Sequence, residues 1–443
     1  MSNFKSGKEN LNSHAGLAFI KTLLTKNSIT KYFNKLKLKK TQNGNFTNAD
    51  IINISIALMS VQYNNFTDIN QVKNDYFFKS MINKDLPSEE TLRLRLDEIS
   101  QNENSLFIVD DMVVNLLENE KLGRIHTVAG DLIPIDIDVS VLADPYSHKE
   151  DIGWTYKKVN GYAPIFAYIG TEGYMLANEL RPGTQHSAKG AIQFIHRCID
   201  LAVALGYSPD QFILRLDSGH DDSEFIGKLE TAGVKYLVKR NPRREIPAQV
   251  LDTIRSSADI VKNRKGKMTY TEKSCNKMPP GLKNYKGFIV IEAVERTILS
   301  DGQTLLLSEI EVASWWINLF DNSTDCIQLY HDHATSEQFH AELKTDMIIE
   351  LLPSGKKHTN ALILALANMS FNLLRIIGQS SLKVRKELKE DINVKRIRLK
   401  TVIRDYINVA CKIIKHAKQI FYNFGCACKK FNIMKGIDDL LIT

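Results

Sequence analysis

Cysteine is scarce in this chain and unorganised. Six stand in 443 residues (Cys198, Cys275, Cys326, Cys411, Cys426, Cys428), with no pair of C-x-x-C motifs, which argues against a structural zinc site. Cys426 and Cys428 form a lone C-x-C and read as two tail thiols. So few cysteines in so large a chain fit a reducing cytosol rather than a disulfide-built secreted domain. The start is polar and lysine-bearing, without the apolar stretch of a secretory signal. Long hydrophobic runs are missing too. The longest, residues 361–374, is interrupted by Asn368, Ser370 and Asn372 and falls short of the ~20 residues a bilayer requires. The expectation is a soluble, cytoplasmic protein with no membrane partner. Internal repeats and low-complexity segments are also lacking, so a solenoid or propeller is excluded. What remains is 43% hydrophobic and 25% charged, a globular composition that excludes wholesale disorder.

Charge is the first feature that is present. The net value is +7, but it is unevenly spread. Residues 1–48 hold nine lysines and one acid, and residues 379–443 hold fifteen lysines and arginines against six acids. The stretch between carries ten more acids than bases. Two basic ends suggest a polyanionic partner, and an acidic middle suggests carboxylates kept for another purpose.

Hydrophobic periodicity divides the chain into five parts. Residues 1–122 read as several short helices behind a basic arm, a candidate DNA-binding region; Ser88 with Glu89 and Glu90 marks one helix start. From about 123 to 240 the pattern alternates as strands and then mixes strand with helix, as in a mixed sheet with helices packed on it. Residues 241–318 look like a β-rich insertion, 319–378 are helical, and 379–443 form a basic tail read as helical. The fold class is therefore α/β, with helical N- and C-terminal regions.

Three acidic positions stand out. Asp136 and Asp138, at i and i+2 of an alternating run, project from one face of a strand. Asp217 ends a very apolar run at 212–216, a favourable place for a site residue. Two such carboxylates ~4 Å apart would repel by several kcal/mol at an effective dielectric of about 20, a penalty that a bridging divalent cation removes. The third feature is a spaced set: Tyr330, His333, Glu337 and Lys344. At about 100° per residue they fall near 0°, 300°, 340° and 320°, one stripe of a helix about 60° wide.

That set resembles the Tyr-x2-Arg-x3-Glu-x6-Lys signature of DDE insertion-sequence transposases, which have an RNase H-like catalytic core. The wider sequence is similar to the insertion-sequence 1380 family. The stretches that match are DIDVS (136–140), TYKKVNGYAPIFAYIG (155–170), ELRPGTQHS (179–187), RLDSGHDD (215–222), HATSEQFHAELKTD (333–346) and LPSGKKHTNALILALA (352–367). They span about residues 45 to 375.

The resemblance implies an RNase H-like mixed sheet with flanking helices. Its catalytic, metal-holding triad would be Asp138, Asp217 and Glu337, with Asp136 as the alternative first aspartate. The ion would be Mg2+, with Mn2+ as a substitute, and two ions would serve an in-line phosphoryl transfer. Tyr330, His333 and Lys344 would hold DNA. The resemblance further implies cleavage at terminal inverted repeats, joining to target DNA, a homodimer and a place on the nucleoid. One departure stands out: His333 replaces the signature arginine, and imidazole lacks its bidentate fork and permanent charge.

Basic clusters add candidate DNA contacts, Lys395, Arg396 and Arg398 in the tail and a second group at 31–40; a solvated helix face is the alternative for both. Asp217, Ser218 and His220 do not make a hydrolase triad, because neighbours in sequence cannot adopt that geometry and no G-x-S-x-G elbow is present. Trp315 and Trp316 read as packing residues.

Overall fold

The computed structural model describes residues 11–26, 28–36, 38, 44–282, 285–417 and 419–442. Lys37, Lys39 and Lys40 of the N-terminal basic cluster lie outside the described residues. Five helices come first: α1 (Leu17–Lys26), α2 (Asn48–Ser60), α3 (Tyr76–Ile82), α4 (Glu89–Ser100) and α5 (Asn104–Leu117). Their starts follow from local chemistry. Thr47 and Asp50 form a capping box on α2, and Ser88 accepts from the Thr91 N–H at the head of α4, each satisfying an amide that the helix itself leaves unpaired.

A mixed sheet follows. Its core strands are β1 (Gly130–Val139), β2 (Ile165–Ile169), β3 (Tyr174–Glu179), β4 (Phe212–Leu216) and β5 (Lys235–Lys239), laid out in the order 3-2-1-4-5. The first three pair antiparallel as a meander, while β4 and β5 run parallel to β1. Helices α6 (Ala191–Ala204) and α7 (Ser223–Ala232) make the crossovers that parallel pairing requires. This is the strand order and direction of an RNase H-like core. Strand β4 has all five residues buried, as expected of a central strand covered on both faces.

The region 241–318 was expected to be a β-rich insertion, and it continues the core sheet. After α8 (Pro247–Ile254) come β6 (Asp259–Arg264), β7 (Lys267–Ser274), β8 (Phe288–Ile298) and β9 (Thr304–Ile317), and β9 pairs antiparallel with β5 through Leu237 and Ile317. The far half of β9 stands clear of the body, with Leu306 and Leu307 exposed.

Helices α9 (Ser323–His331) and α10 (Thr335–Ala341) then lead to α11 (Lys357–Glu387), around which the protein packs. Length and composition alone would let α11 cross a membrane, yet 94% of its most apolar window is buried inside the fold. The polar residues that break its apolar pattern have partners there. Asn372 accepts from the Met175 N–H and donates to the Met175 carbonyl, both at 2.8 Å, sealing the outer strand β3. Asn368 accepts from Asn372, and Ser370 donates to the Ile56 carbonyl of α2. Buried polar groups so satisfied fix the register of helix against sheet.

The tail departs from its helical expectation. The boundary drawn at 378 falls inside α11, and beyond α12 (Leu399–Val402) the chain forms a hairpin, β10 (Cys411–His416) and β11 (Gln419–Phe424), before α13 (Phe431–Ile442). Strand β10 also pairs with Leu11 and Asn12 from the other end of the chain.

Candidate active site

Strand register builds the first part of the site. In the parallel pair β1–β4, Asp136 stands opposite Arg215 and Ile137 opposite Leu216. The next step brings Asp138 level with Asp217, and the period of two turns both to the face that carries Asp136. The two aspartates of β1 have different surroundings. Asp136 is buried, and Arg215 donates to both its oxygens at 2.6 and 2.8 Å. The His333 Nδ1 lies 2.8 Å from the same carboxylate. Burial alone would push the Asp136 carboxyl up, but Arg215 and His333 outweigh it and hold it below the usual carboxylate range. Both its oxygens are occupied, and it presents nothing to solvent.

Asp138 is further out, its side chain 22% exposed. The His340 Nε2 stands 3.3 Å from its Oδ2, and the other ring nitrogen is 3.2 Å from the Tyr168 hydroxyl. Burial drives the His340 pKa down against the pull of Asp138, so the ring is neutral near pH 7. A neutral ring that donates from Nε2 must accept at Nδ1, which suits the Tyr168 hydroxyl. For Asp138 the His340 contact overcomes the effect of burial, and its carboxyl is held low.

Asp217 begins the turn that follows β4, and its side chain is 41% exposed. Its Oδ1 accepts from the Gly219 N–H at 3.1 Å and meets the His220 Nδ1 at 2.7 Å. His220 is buried, and no hydrogen-bond partner within the described residues reaches its Nε2. Asp138 and Asp217 are therefore answered by imidazoles, with no arginine or lysine paired to either among the described residues.

The helix stripe arrives by an uneven route. The span 323–346 is not one α-helix: α9 gives way to a tight turn at Asp332–Ala334, then α10, then a wide π turn at Glu342–Asp346. Even so, its side chains meet the ends of the strands. The Tyr330 hydroxyl is pushed far up in pKa by burial and then by the negative charge of Asp217, Asp138, Asp136 and Glu337. Glu337 itself is exposed and makes no hydrogen bond or ion pair among the described residues. Lys344 donates to the Val141 carbonyl just beyond β1, and burial lowers its pKa to about 8. His333 was expected to face DNA; it is buried with Asp136 instead.

Of the tail candidates, Lys395 is exposed and Arg396 half-buried. Arg398 spends its fork on the buried Asp346, at 2.7 and 2.8 Å. Trp315 and Trp316 are both buried, Trp315 with its ring 5.4 Å from that of Tyr330.

Sequence reasoning missed Arg215, His220, His340 and Tyr156. The last donates to the Val139 carbonyl at 2.9 Å, and burial together with Asp138 and Asp217 raises its pKa to about 12. His340 had a signal, since ten residues after Tyr330 returns to about 280°, the same stripe. Arg215 had one as well, a lone charge within an apolar run. As the side chains are placed, no three His, Cys, Asp or Glu groups among the described residues are gathered closely enough to hold one ion. The donor chemistry nevertheless suits a hard cation, because Asp138, Asp217 and Glu337 offer carboxylate oxygens without a competing ammonium or guanidinium.

A family model described as transposase DDE domain, group 1, matches residues 3–439. Among solved structures, one that is similar is the cryo-EM structure of a piggyBac transposase synaptic complex with hairpin DNA. It shares 15% identity over 89% of this chain and 79% of that one, with a TM-score of 0.43. No curated protein matches in sequence. The match over nearly the whole length places this chain in the group 1 family of DDE-domain transposases.

Proposed function

We propose that this protein cleaves DNA at the ends of a mobile element and joins the freed 3′ hydroxyl to target DNA. The observation that carries this reading is the parallel register of β1 and β4, which sets Asp138 beside Asp217 at the strand ends, where α10, the helix of Glu337, meets Asp138 through His340. Asp138 is the first acid of the triad; Asp136 is committed to Arg215 and His333. The residues to hold a divalent cation, Mg2+ or Mn2+ in its place, are Asp138, Asp217 and Glu337. Such a cation, when bound, supplies charge neutralisation for attacking and leaving phosphate-ester oxygens. Among the described residues Glu337 has no partner to hold it, and it can turn toward the aspartates.

The chain's own groups do the positioning. His340 holds the Asp138 Oδ2 while the Val139 N–H holds its Oδ1 at 2.7 Å, and His220 with the Gly219 N–H holds the Asp217 Oδ1, leaving the Asp217 Oδ2 without a hydrogen bond among the described residues. Tyr330 stays protonated, because burial and then the negative charge of the nearby carboxylates push its pKa far up, and so it donates to a phosphate oxygen rather than repelling it. Lys344 stands on the same side and adds positive charge. Within the family, the ordered motifs support reading the chain as a transposase of the insertion-sequence 1380 kind, and pairing two element ends would call for at least a homodimer, acting on nucleoid DNA in the cytoplasm.

Asp217→Asn and Glu337→Gln are expected to abolish Mg2+-dependent cleavage of terminal-repeat duplex, a loss of at least about a thousandfold, while duplex binding persists. Cleavage by either variant at the parent's rate would overturn the triad. With labelled ends and a target plasmid, joined products identify a transposase. Nicks alone would identify a nuclease, and a mobility shift without cutting a DNA-binding protein.

A further inference from the structure

Beginning one residue past Glu337 in sequence, α10 borders a cavity of about 440 Å3 lined by Gln338, Ala341, Glu342, Lys395, Arg396 and Arg398. Its charges do not balance. Glu342 is buried against Arg375, which also donates to the Ile397 carbonyl. Asp346 is buried against Arg398. Those two pairs are closed, and Lys395 and Arg396 are left over.

Arg396 is the unusual member. Its guanidinium lies 4.6 Å from the centroid of the buried Phe339 ring and donates to the Gln338 Oε1 at 2.6 Å. It makes no ion pair among the described residues. Burial lowers its pKa, and the neighbouring Arg375 lowers it further, against a weaker pull from Glu342. A half-buried cation with no carboxylate of its own is an expensive feature. One hydrogen bond to a neutral amide does not offset that cost, whereas a bidentate anion does. Packing on Phe339 and the bond to Gln338 hold the fork still, so little freedom remains to be lost on binding.

The cavity does not end there. It shares Val394 and Lys395 with a larger groove of about 980 Å3 whose walls carry Lys121, Arg124, Lys383 and Lys386. The three acids in that groove are already engaged, Glu172 by the Gly123 N–H, Glu120 by the Tyr174 hydroxyl and Asp131 by the His126 Nδ1. A single small anion has no use for this length of basic wall. A chain of phosphates does.

We infer that Arg396 is a phosphate-binding residue, and that the groove from it toward Lys383 and Lys386 carries the DNA backbone leading to Glu337. The identity of the phosphate as DNA rests on the proposed function; the anion site itself does not.

The test uses the full-length protein without divalent metal and two probes. The first is a labelled duplex titrated at several salt concentrations. The second is the rise in melting temperature caused by inorganic phosphate at fixed ionic strength. Arg396→Met keeps an unbranched apolar side chain beside Phe339 and removes the guanidinium with its charge and its N–H donors. It is expected to weaken duplex binding about tenfold, to lower the slope of log K against log salt by about one, and to lose most of the phosphate-induced stabilisation. Arg396→Lys should recover part of the slope. Equal slopes and equal phosphate responses in parent and Arg396→Met would overturn the inference. An Arg396-dependent response to phosphate in a protein that binds no duplex would instead sustain the anion site and overturn the DNA reading.

Discussion

Asp136 and Asp138 share a strand and a face, yet a shift of two positions changes what each carboxylate costs and does. Asp136 neutralises Arg215 inside the sheet. Asp136→Asn strands that guanidinium and should cost about 3–5 kcal/mol, read as a lower urea midpoint. Asp138→Asn is nearly isosteric and strands no arginine or lysine, so it should leave stability within about 1 kcal/mol of the parent while cleavage is lost. A variant pair with the opposite pattern would exchange the two roles. The sequence left this choice open for a physical reason. The two positions differ only in what lies across the sheet, and the partner Arg215 is 79 residues away in a register that no local pattern encodes. Lys344 adds a pH signature. Its folded pKa of about 8 lies below the ordinary lysine value. Below pH 8 the folded protein therefore bears the cost of a buried charge, and between about pH 8 and 10 that cost fades as the folded state releases its proton before the unfolded chain does. Urea midpoints of the parent should gain on those of Lys344→Met across that window, and parallel curves would rule out the shifted pKa.

At the scale of elements, the informative piece is the broken helix from Ser323 to Asp346. A uniform α-helix was assumed when its stripe was drawn, and the structure contains instead a tight three-residue turn and a wide five-residue one. Tighter winding carries the face forward and looser winding returns it, which is why the stripe still meets the strand ends although the assumption behind it fails. A short apolar run marked β2, and alternation was plain in β1. It was hidden in the tail hairpin, where Lys412, Lys415 and His416 break up an apolar pattern that includes Ile413, Ile414 and Phe421, so the run read as a charged helix. What holds α10 in place can be tested from the turn between β2 and β3. Gly173 has φ +71°, and a Cβ there would fall within the ring of Phe339, two residues from Glu337. Gly173→Ala combines an unfavourable backbone with overpacking and should cost about 1–3 kcal/mol. Because Phe339 must shift, cleavage should fall more steeply than duplex binding. Equal losses of both would show that the turn supports the fold without aiming Glu337.

For the molecule as a whole, the charge pattern acquires a geometry. The sequence shows two basic ends separated by an acidic middle, as if there were two arms. Over the described residues those ends are joined. The Ala15 and Gly16 amides donate to the carbonyls of Val409 and Ile407 at 3.1 Å, His14 meets the Asn408 side chain, and Leu11 and Asn12 extend the sheet of the tail hairpin. Helix α13 closes over α1 and α11 from the same side. The described basic residues of the two ends, Lys21, Lys26, Lys31 and Lys35 among them, thus belong to one body packed around α11, the helix that also supports β3 and carries Arg375, the partner of Glu342 in the Arg396 cavity. The join itself is tight. A Cβ on Gly16 would fall on the Tyr406 carbonyl, a backbone atom that cannot swing aside as a side-chain tip could. Gly16→Val must therefore separate the two ends, and it should lower stability by about 2 kcal/mol or more. Because the ends form one unit, limited proteolysis of that variant should expose cleavage sites before residue 26 and after residue 408 at the same rate. Early loss of the N-terminal segment with the tail hairpin still protected would show two separate arms, and the shared basic body would then not exist.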